Sequence, residues 1–157
     1  MSSVTGTAAA ALPVLLVWGG AADLITKSIP NSVALLLAAS FIVFAGSAGI
    51  STPQLVTHLL CGCAVLAGGF ALFYSSLIGG GDAKLLASAS CWFGFENIMP
   101  FLAAVALAGG VLALIYLILQ QLRAQLGLEL EHSPTLPYGA AIAAGGLAIL
   151  PDALLVV

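Results

Sequence analysis

Apolar runs about as long as a membrane is thick recur along this sequence, and they constrain its fold more than any other feature. Of the 157 residues, 62% are hydrophobic and only 6% are charged, so the chain cannot build an ordinary water-facing surface. A membrane-spanning helix needs roughly 20 mostly apolar residues, which leaves room for about six such helices with short connections. The sequence therefore predicts a single all-α domain over residues 1–157, a polytopic membrane protein built as a bundle of about six transmembrane helices.

Short polar intervals divide the chain into the predicted spans. A proline-containing turn follows each of the first two spans, a glycine run closes the third, and the longest polar interval precedes the last. The predicted spans are Ala8–Ile25, Val33–Ile50, Gln54–Leu77, Asp82–Phe95, Phe101–Leu122 and Tyr138–Leu155. The stretch from Met1 to Thr7 contains no Lys or Arg, so we interpret the first apolar run as a retained span rather than a cleavable signal.

The three cations of the chain predict its orientation in the membrane. Lys27 follows the first predicted span, Lys84 follows the third, and Arg123 follows the fifth. With six spans, all three cations lie on the same side of the bilayer. Because Lys and Arg next to span ends prefer the cytoplasmic side, we expect both termini to lie outside the cytoplasm.

Several kinds of function are disfavoured by the composition. The net charge is −3 with only three Lys and Arg, too few for neutralising phosphates, so we expect no nucleic-acid partner. The cysteines lie in apolar runs and are expected to behave as small hydrophobes rather than as a disulfide framework or a zinc site; they are Cys61, Cys63 and Cys91. Neither His58 nor His132 has a second ligand at metal-binding spacing, and we expect no metal and no cofactor.

Asp23 and Asp82 are the acidic residues at the cytoplasmic ends of the predicted spans, and the six-span topology places both at the same membrane depth. An ionised side chain near a helix centre costs about 2.5 to 3.5 kcal/mol on insertion scales, so an intramembrane aspartate is a functional candidate. Each residue also has a simpler interpretation. Asp82 follows a glycine run and can cap the next helix, and Asp23 can pair with Lys27 one turn later.

A pair of aspartates that share a proton can hydrolyse a peptide bond. Two carboxylates at about 3 Å cannot both ionise, so one acts as a base on water while the other, protonated, polarises the scissile carbonyl. Asp82 lies at the positive end of a predicted helix beside Lys84, which favours the anion, whereas Asp23 lies at a negative helix end, which favours the acid. A proton relay in a small proton-coupled transporter or channel component uses the same kind of pair, and is the alternative function. A scaffold without catalysis is a third interpretation.

The order of motifs along the chain resembles that of one family. The motifs are Asp23, Ile29-Pro30-Asn31, Gly79-Gly80-Gly81-Asp82-Ala83-Lys84-Leu85-Leu86 and Pro137-Tyr138-Gly139. This order is similar to that of the type IV prepilin peptidase family, particularly its short Tad/Cpa-type members, which are GxGD-type intramembrane aspartic proteases. The resemblance implies that Asp23 and Asp82 are the catalytic pair. It also implies supporting roles around the pair, with a glycine run that lets backbone and substrate approach; these residues are Gly79, Gly80, Gly81, Lys84, Pro30, Asn31 and Pro137.

The same resemblance carries expectations about substrate and location. It implies a prepilin-like substrate, with a short basic leader followed by one apolar helix, cut at the cytoplasmic face of a bacterial inner membrane. Larger relatives insert a cytoplasmic domain and methylate the product, but there is no room for that domain between Ile25 and Val33, so we expect cleavage without methyl transfer. Glu129 and Glu131 could attract a basic leader, although two solvated loop acids are the simpler interpretation. The sequence leaves the oligomeric state open.

Overall fold

All regular structure in the described residues, 3–126 and 136–150 of a computed structural model, is helical. The helices are α1 (Ser3–Thr26), α2 (Asn31–Ala48), α3 (Thr52–Tyr74), α4 (Gly80–Gln125) and α5 (Tyr138–Ala148). The first four are long and apolar enough to cross a membrane, and α5 is an apolar helix of 11 residues. The prediction of an all-α polytopic membrane protein is confirmed, whereas the number of six crossings stays a prediction.

The first three helices follow the predicted spans closely, with small shifts at their ends. Helix α2 begins two residues before the predicted span, at Asn31, and Pro30 occupies the cap position with extended backbone. The start of α3 is stabilised by reciprocal capping, in which the amide and hydroxyl of Ser51 contact Gln54 Oε1 at 3.2 and 2.7 Å. The glycine run is shared between the loop and α4, since the helix begins at Gly80 rather than at Asp82.

The predicted boundary between the fourth and fifth spans is wrong in its position. Glu96, Asn97 and Pro100 were expected to interrupt the helix, but the helical backbone breaks at Gly94, with φ 61° and ψ −178°. This combination is essentially restricted to glycine, so the residue without a side chain takes the break. Helix resumes directly afterwards and continues through Pro100. We call residues 80–93 and 95–125 the first and second segments of α4.

The first segment of α4 lies at the centre of the bundle. Helix α4 packs against α2, α3 and α5, while α1 packs against α2 and α5. The largest fully buried side chains come from several helices and include Trp92, Phe41, Phe93, Phe101, Leu12 and Leu16. Glycines allow close helix contacts: a Cβ at Gly69 would lie 3.0 Å from Ala83 Cβ, and one at Gly20 would lie 2.8 Å from Ala143 Cβ.

Two long-range contacts bring the cationic residues to one end of the bundle. Lys84 Nζ donates to Asn31 Oδ1 at 2.9 Å, which joins the starts of α2 and α4. Lys27 Nζ lies 3.4 Å from Tyr116 Oη, which joins the end of α1 to the second segment of α4. Arg123 lies about two turns further along that segment. The predicted clustering of the three cations at one end of the bundle is thus reproduced; we call this the polar end. Its cytoplasmic orientation stays a prediction.

Candidate active site

Asp23 lies in the last turns of α1 and is buried, with 7% of its surface exposed. Its Oδ2 accepts a hydrogen bond of 2.7 Å from the backbone N–H of Gly139. Gly139 is the second residue of α5, and the first N–H groups of a helix have no partner within that helix. The beginning of α5 therefore supplies both a donor and the positive end of a helix dipole to the carboxylate of Asp23.

Asp82 is the third residue of α4 and is half-buried. Its Oδ2 accepts a hydrogen bond of 3.1 Å from the N–H of Gly79, the residue that precedes the helix. The capping interpretation is therefore right in a modified form, because Asp82 reaches back from inside the helix instead of standing at its start. Its Oδ1 is buried and has no hydrogen-bond partner in the described part of the chain. A buried oxygen without a partner is unusual in a folded protein and is a feature of functional sites.

The two carboxylates line the same two cavities at the polar end. One cavity, of about 330 Å³, is formed by the link between α1 and α2 together with the glycine run; we call it the glycine-run cavity. The other, of about 600 Å³, is bounded by the ends of α1 and α3 and by the start of α5; we call it the Tyr138 cavity. The central expectation from the sequence, that separate helices bring Asp23 and Asp82 together, agrees with this arrangement.

The glycine run lets the backbone come close to both its neighbours and Asp82. A Cβ at Gly79 would lie 2.7 Å from Asp82 Oδ2, and one at Gly81 would lie 3.2 Å from Ile29 Cβ. Gly80 is less restricted, since its nearest neighbour would be the Phe73 ring at 3.4 Å. Larger residues at the first and third positions would push the capping carboxylate or the α1–α2 link away.

The remaining residues implied by the resemblance support the site from its edges. Lys84 bonds to Asn31 across the α2–α4 interface, so its ammonium is directed to that contact and not to the carboxylate of Asp82. The hypothesis that Lys84 favours the anion of Asp82 loses its geometric support. Pro30 directly precedes α2, and the buried Pro137 directly precedes α5, so both prolines fix where helices begin beside the site.

Three residues belong to the motifs of the sequence but were given no role at the site, and the structure brings them to the carboxylates. Gly139 donates to Asp23, and Tyr138 lines the cavity that carries its name. Ile29 packs between two glycines, since a Cβ at Gly81 or Gly139 would lie 3.2 or 2.8 Å from its side chain. The Pro-Tyr-Gly motif was available as a signal, because a helix start offers unpaired N–H groups. What it would face was not evident from the sequence.

Other predicted residues lie away from the carboxylates or outside the described part of the chain. His58 Nδ1 lies 2.8 Å from the carbonyl oxygen of Cys91, and its ring stacks on Phe41 at 5.4 Å between centroids. This contact gives His58 a role in helix packing. The three cysteines are free, as expected. Glu129, Glu131 and His132 lie outside the described residues.

Fold and site together define a class: a polytopic all-α membrane protein that holds two carboxylates in shared cavities at one end of its bundle. The family model of the type IV leader peptidase family matches residues 10–114, which include both aspartates. The chain belongs to this family, and the resemblance seen in its motifs is confirmed. Membership implies a peptidase and prepilin-like substrates. No curated protein and no solved structure matches the sequence.

Proposed function

We propose that the protein is an intramembrane aspartic endopeptidase that removes the leader from prepilin-like precursors, with Asp23 and Asp82 as its catalytic pair. One observation carries the proposal: carboxylates from α1 and α4 line the same cavities, and each is held by a backbone N–H. Gly79 lies beside Asp82 and Gly139 lies beside Asp23, so backbone without a side chain adjoins each carboxylate.

In the reaction, one carboxylate is ionised and the other protonated. The ionised group takes a proton from water as the water oxygen bonds to the scissile carbonyl carbon. The protonated group donates to the carbonyl oxygen. When the resulting tetrahedral intermediate collapses, the carbon–nitrogen bond breaks and the leaving nitrogen takes the proton that the base took from water. A hydroxyl of the intermediate returns its proton to the other carboxylate as the product carboxyl group forms.

The hydrogen bonds support an assignment of roles opposite to the one suggested by the sequence. Asp23 Oδ2 accepts a bond of 2.7 Å from the start of α5, which stabilises negative charge and suits the base. Asp82 Oδ1 is buried and has no partner among the described residues. Because a buried oxygen without a hydrogen bond carries negative charge poorly, this carboxyl suits the protonated role. We therefore assign Asp23 as the base and Asp82 as the acid.

The position of the three cations and the short α1–α2 link bear on the location of the site and on methyl transfer. The three cations gather at the polar end, so the positive-inside rule favours a cytoplasmic location for this end in a bacterial inner membrane. Helix α1 ends at Thr26 and α2 begins at Asn31, so the connection where larger relatives carry an extra domain is a tight link. We propose cleavage of the leader without methylation of the product.

The test is cleavage of prepilin-like precursors by purified protein in detergent, with no ion gradient. Asp23→Asn and Asp82→Asn are each expected to lower the rate by about a thousandfold or more, since removal of one member of a catalytic unit removes most of its effect. A correctly inserted variant that still cuts at the wild-type rate contradicts the assignment. If the protein is active only when a proton gradient is present across the membrane, that result would favour the alternative of a proton-coupled transporter or channel component.

The pH dependence gives a second test of the pair. Two groups that share one proton must hold one proton for activity, so the rate should fall on both the acid and the alkaline side of an optimum. In the Asp23→Asn and Asp82→Asn variants, any residual rate should lose this two-sided profile. A wild-type rate that rises through one ionisation and then stays level would contradict the shared-proton mechanism.

A further inference from the structure

A third cavity, of about 440 Å³, opens beside Asp82 between α3, both segments of α4 and α5. We call it the apolar groove. One wall follows a single face of the second α4 segment, where residues recur at helical spacing; these residues are Leu102, Val105, Ala106, Gly109, Gly110 and Ala113. From the first to the last of them the helix rises about 16 Å, or three turns. The groove is thus long enough for about three turns of another helix.

The apolar groove is continuous with the carboxylate site. Ile78, Asp82 and Tyr138 line both the groove and the Tyr138 cavity, where Asp23 also lies. Apart from Asp82 and Tyr138, the groove's lining in the described part of the chain consists of apolar residues and glycine. A chain that leaves the two aspartates in this direction passes directly from a polar cavity into an apolar one.

The direction of the groove matches that of a membrane-embedded substrate. Ala113 lies one turn before Tyr116, which contacts Lys27 at the polar end. Leu102 lies three turns further along the same helix, away from that end. The groove therefore leads from the level of the carboxylates into the apolar depth of the bundle.

We propose that the apolar groove holds the substrate's membrane-spanning helix just after the cleaved bond, with Gly109 and Gly110 as its contact surface. This inference rests on the proposed function. Helices in lipid associate by close backbone approach at small residues, and these glycines provide such a surface. The cavity on the other side of α4, of about 340 Å³, contains neither aspartate and shares only Asn31 with the glycine-run cavity, whereas the apolar groove is lined by Asp82 itself.

Gly110→Leu tests the groove without disturbing the packing of the enzyme. Gly110 lines the groove and an added Cβ there meets no atom within 4 Å, so a new side chain adds bulk at the groove wall without displacing a neighbour. Gly68→Leu in α3 is the matched control, because the same open space surrounds Gly68 and it is not among the groove's lining residues. Both variants are compared with wild type on a prepilin-like precursor that the wild type cuts.

We expect Gly110→Leu to lower kcat/KM by about tenfold, equivalent to about 1.4 kcal/mol of binding, mainly through a higher KM. Gly68→Leu should match the wild type.

A second experiment uses photocrosslinking. The photoreactive residue p-benzoylphenylalanine replaces Ala113 or Gly68 in the Asp82→Asn background, and light should crosslink the precursor from position 113 only. Equal kcat/KM for the two leucine variants overturns the inference. So does a probe at position 113 that labels only lipid or a second copy of the chain. A wild type that cuts no precursor contradicts the proposed function instead.

Discussion

The two ends of the first α4 segment differ sharply in how they are packed. At the polar end, glycines and small residues surround Asp82, whose Oδ1 has no partner among the described residues. At the other end, which we call the aromatic end, Trp92 packs against Phe41 and Phe44 with ring centroids 5.6 and 5.2 Å apart. There the indole N–H donates to the carbonyl oxygen of Leu37 at 3.0 Å. The polar end thus has cavities and a buried oxygen without a partner, whereas the aromatic end is filled by large rings and the indole N–H is paired.

This difference separates the tasks of stability and chemistry along a single segment. The aromatic end fixes α4 against α2 and α3 through large buried side chains. The polar end then has room for cavities beside the carboxylates, because it does not have to supply the main packing. A catalytic group is most effective when a rigid part of the fold positions it. Substitutions at the two ends should therefore affect different properties.

The largest expected effect is on stability at the aromatic end. Trp92→Ala removes a fully buried side chain and leaves a cavity, so the free energy of unfolding should fall by about 3–5 kcal/mol. Phe70→Ala is the control, since Phe70 is 47% exposed and should cost far less. Thermal unfolding in detergent measures both, and the cleavage rate per folded molecule should stay close to that of wild type. If Trp92→Ala lost cleavage but kept its stability, the assignment of stability to the aromatic end and chemistry to the polar end would be wrong.

An effect on chemistry is expected from Gly139→Ala at the polar end. The added Cβ would lie 2.9 Å from Asp23 Cβ and 2.8 Å from Ile29 Cδ1, so α1 and α5 must shift apart, which lengthens the hydrogen bond from the Gly139 N–H to the carboxylate. We expect kcat to fall by about a hundredfold, equivalent to about 2.7 kcal/mol, because a small misplacement of a catalytic group is that costly. Gly6→Ala, at a glycine of α1 with no atom within 4 Å of an added Cβ, should cut normally. A normal kcat for Gly139→Ala would show that the start of α5 does not support the Asp23 carboxylate in catalysis.

The smallest effect is expected at the edge of the site. Lys84→Met retains the length of the side chain but loses the hydrogen bond to Asn31, which should lower kcat by about tenfold as the starts of α2 and α4 separate. Lys84→Arg keeps a donor and should recover part of the rate. Asn31→Ala should match Lys84→Met, and combining the two should cost little more than either alone. Fully additive losses would show that the two residues act independently.

Much of this architecture could be predicted from the sequence because each long helix coincides with a long run of apolar residues. The same runs place Asp23 and Asp82 at one end of the bundle once the spans are numbered. The break in α4 was misplaced because proline is the stronger breaker in isolated sequences, whereas in a membrane bundle Pro100 is tolerated inside a helix and Gly94 takes the unusual backbone angles.

The contacts of the site were harder to predict because they depend on packing between distant segments. Gly139 and Asp23 are far apart in the sequence, and only the seating of α5 against α1 brings the donor to the carboxylate. Lys84 follows Asp82 by two residues, which suggested an electrostatic partnership. On a helix, residues two apart face different directions, and the lysine reaches Asn31 instead.

The most direct test of the central claim, that Asp23 and Asp82 act as one catalytic unit, is a double-mutant cycle on precursor cleavage. Asp23→Asn, Asp82→Asn and the double variant are compared with wild type in detergent at the pH optimum. If the two carboxylates form one unit, each single variant should lose nearly as much activity as the double variant. Losses that multiply in the double variant, or a single variant that keeps the wild-type rate, would contradict the account.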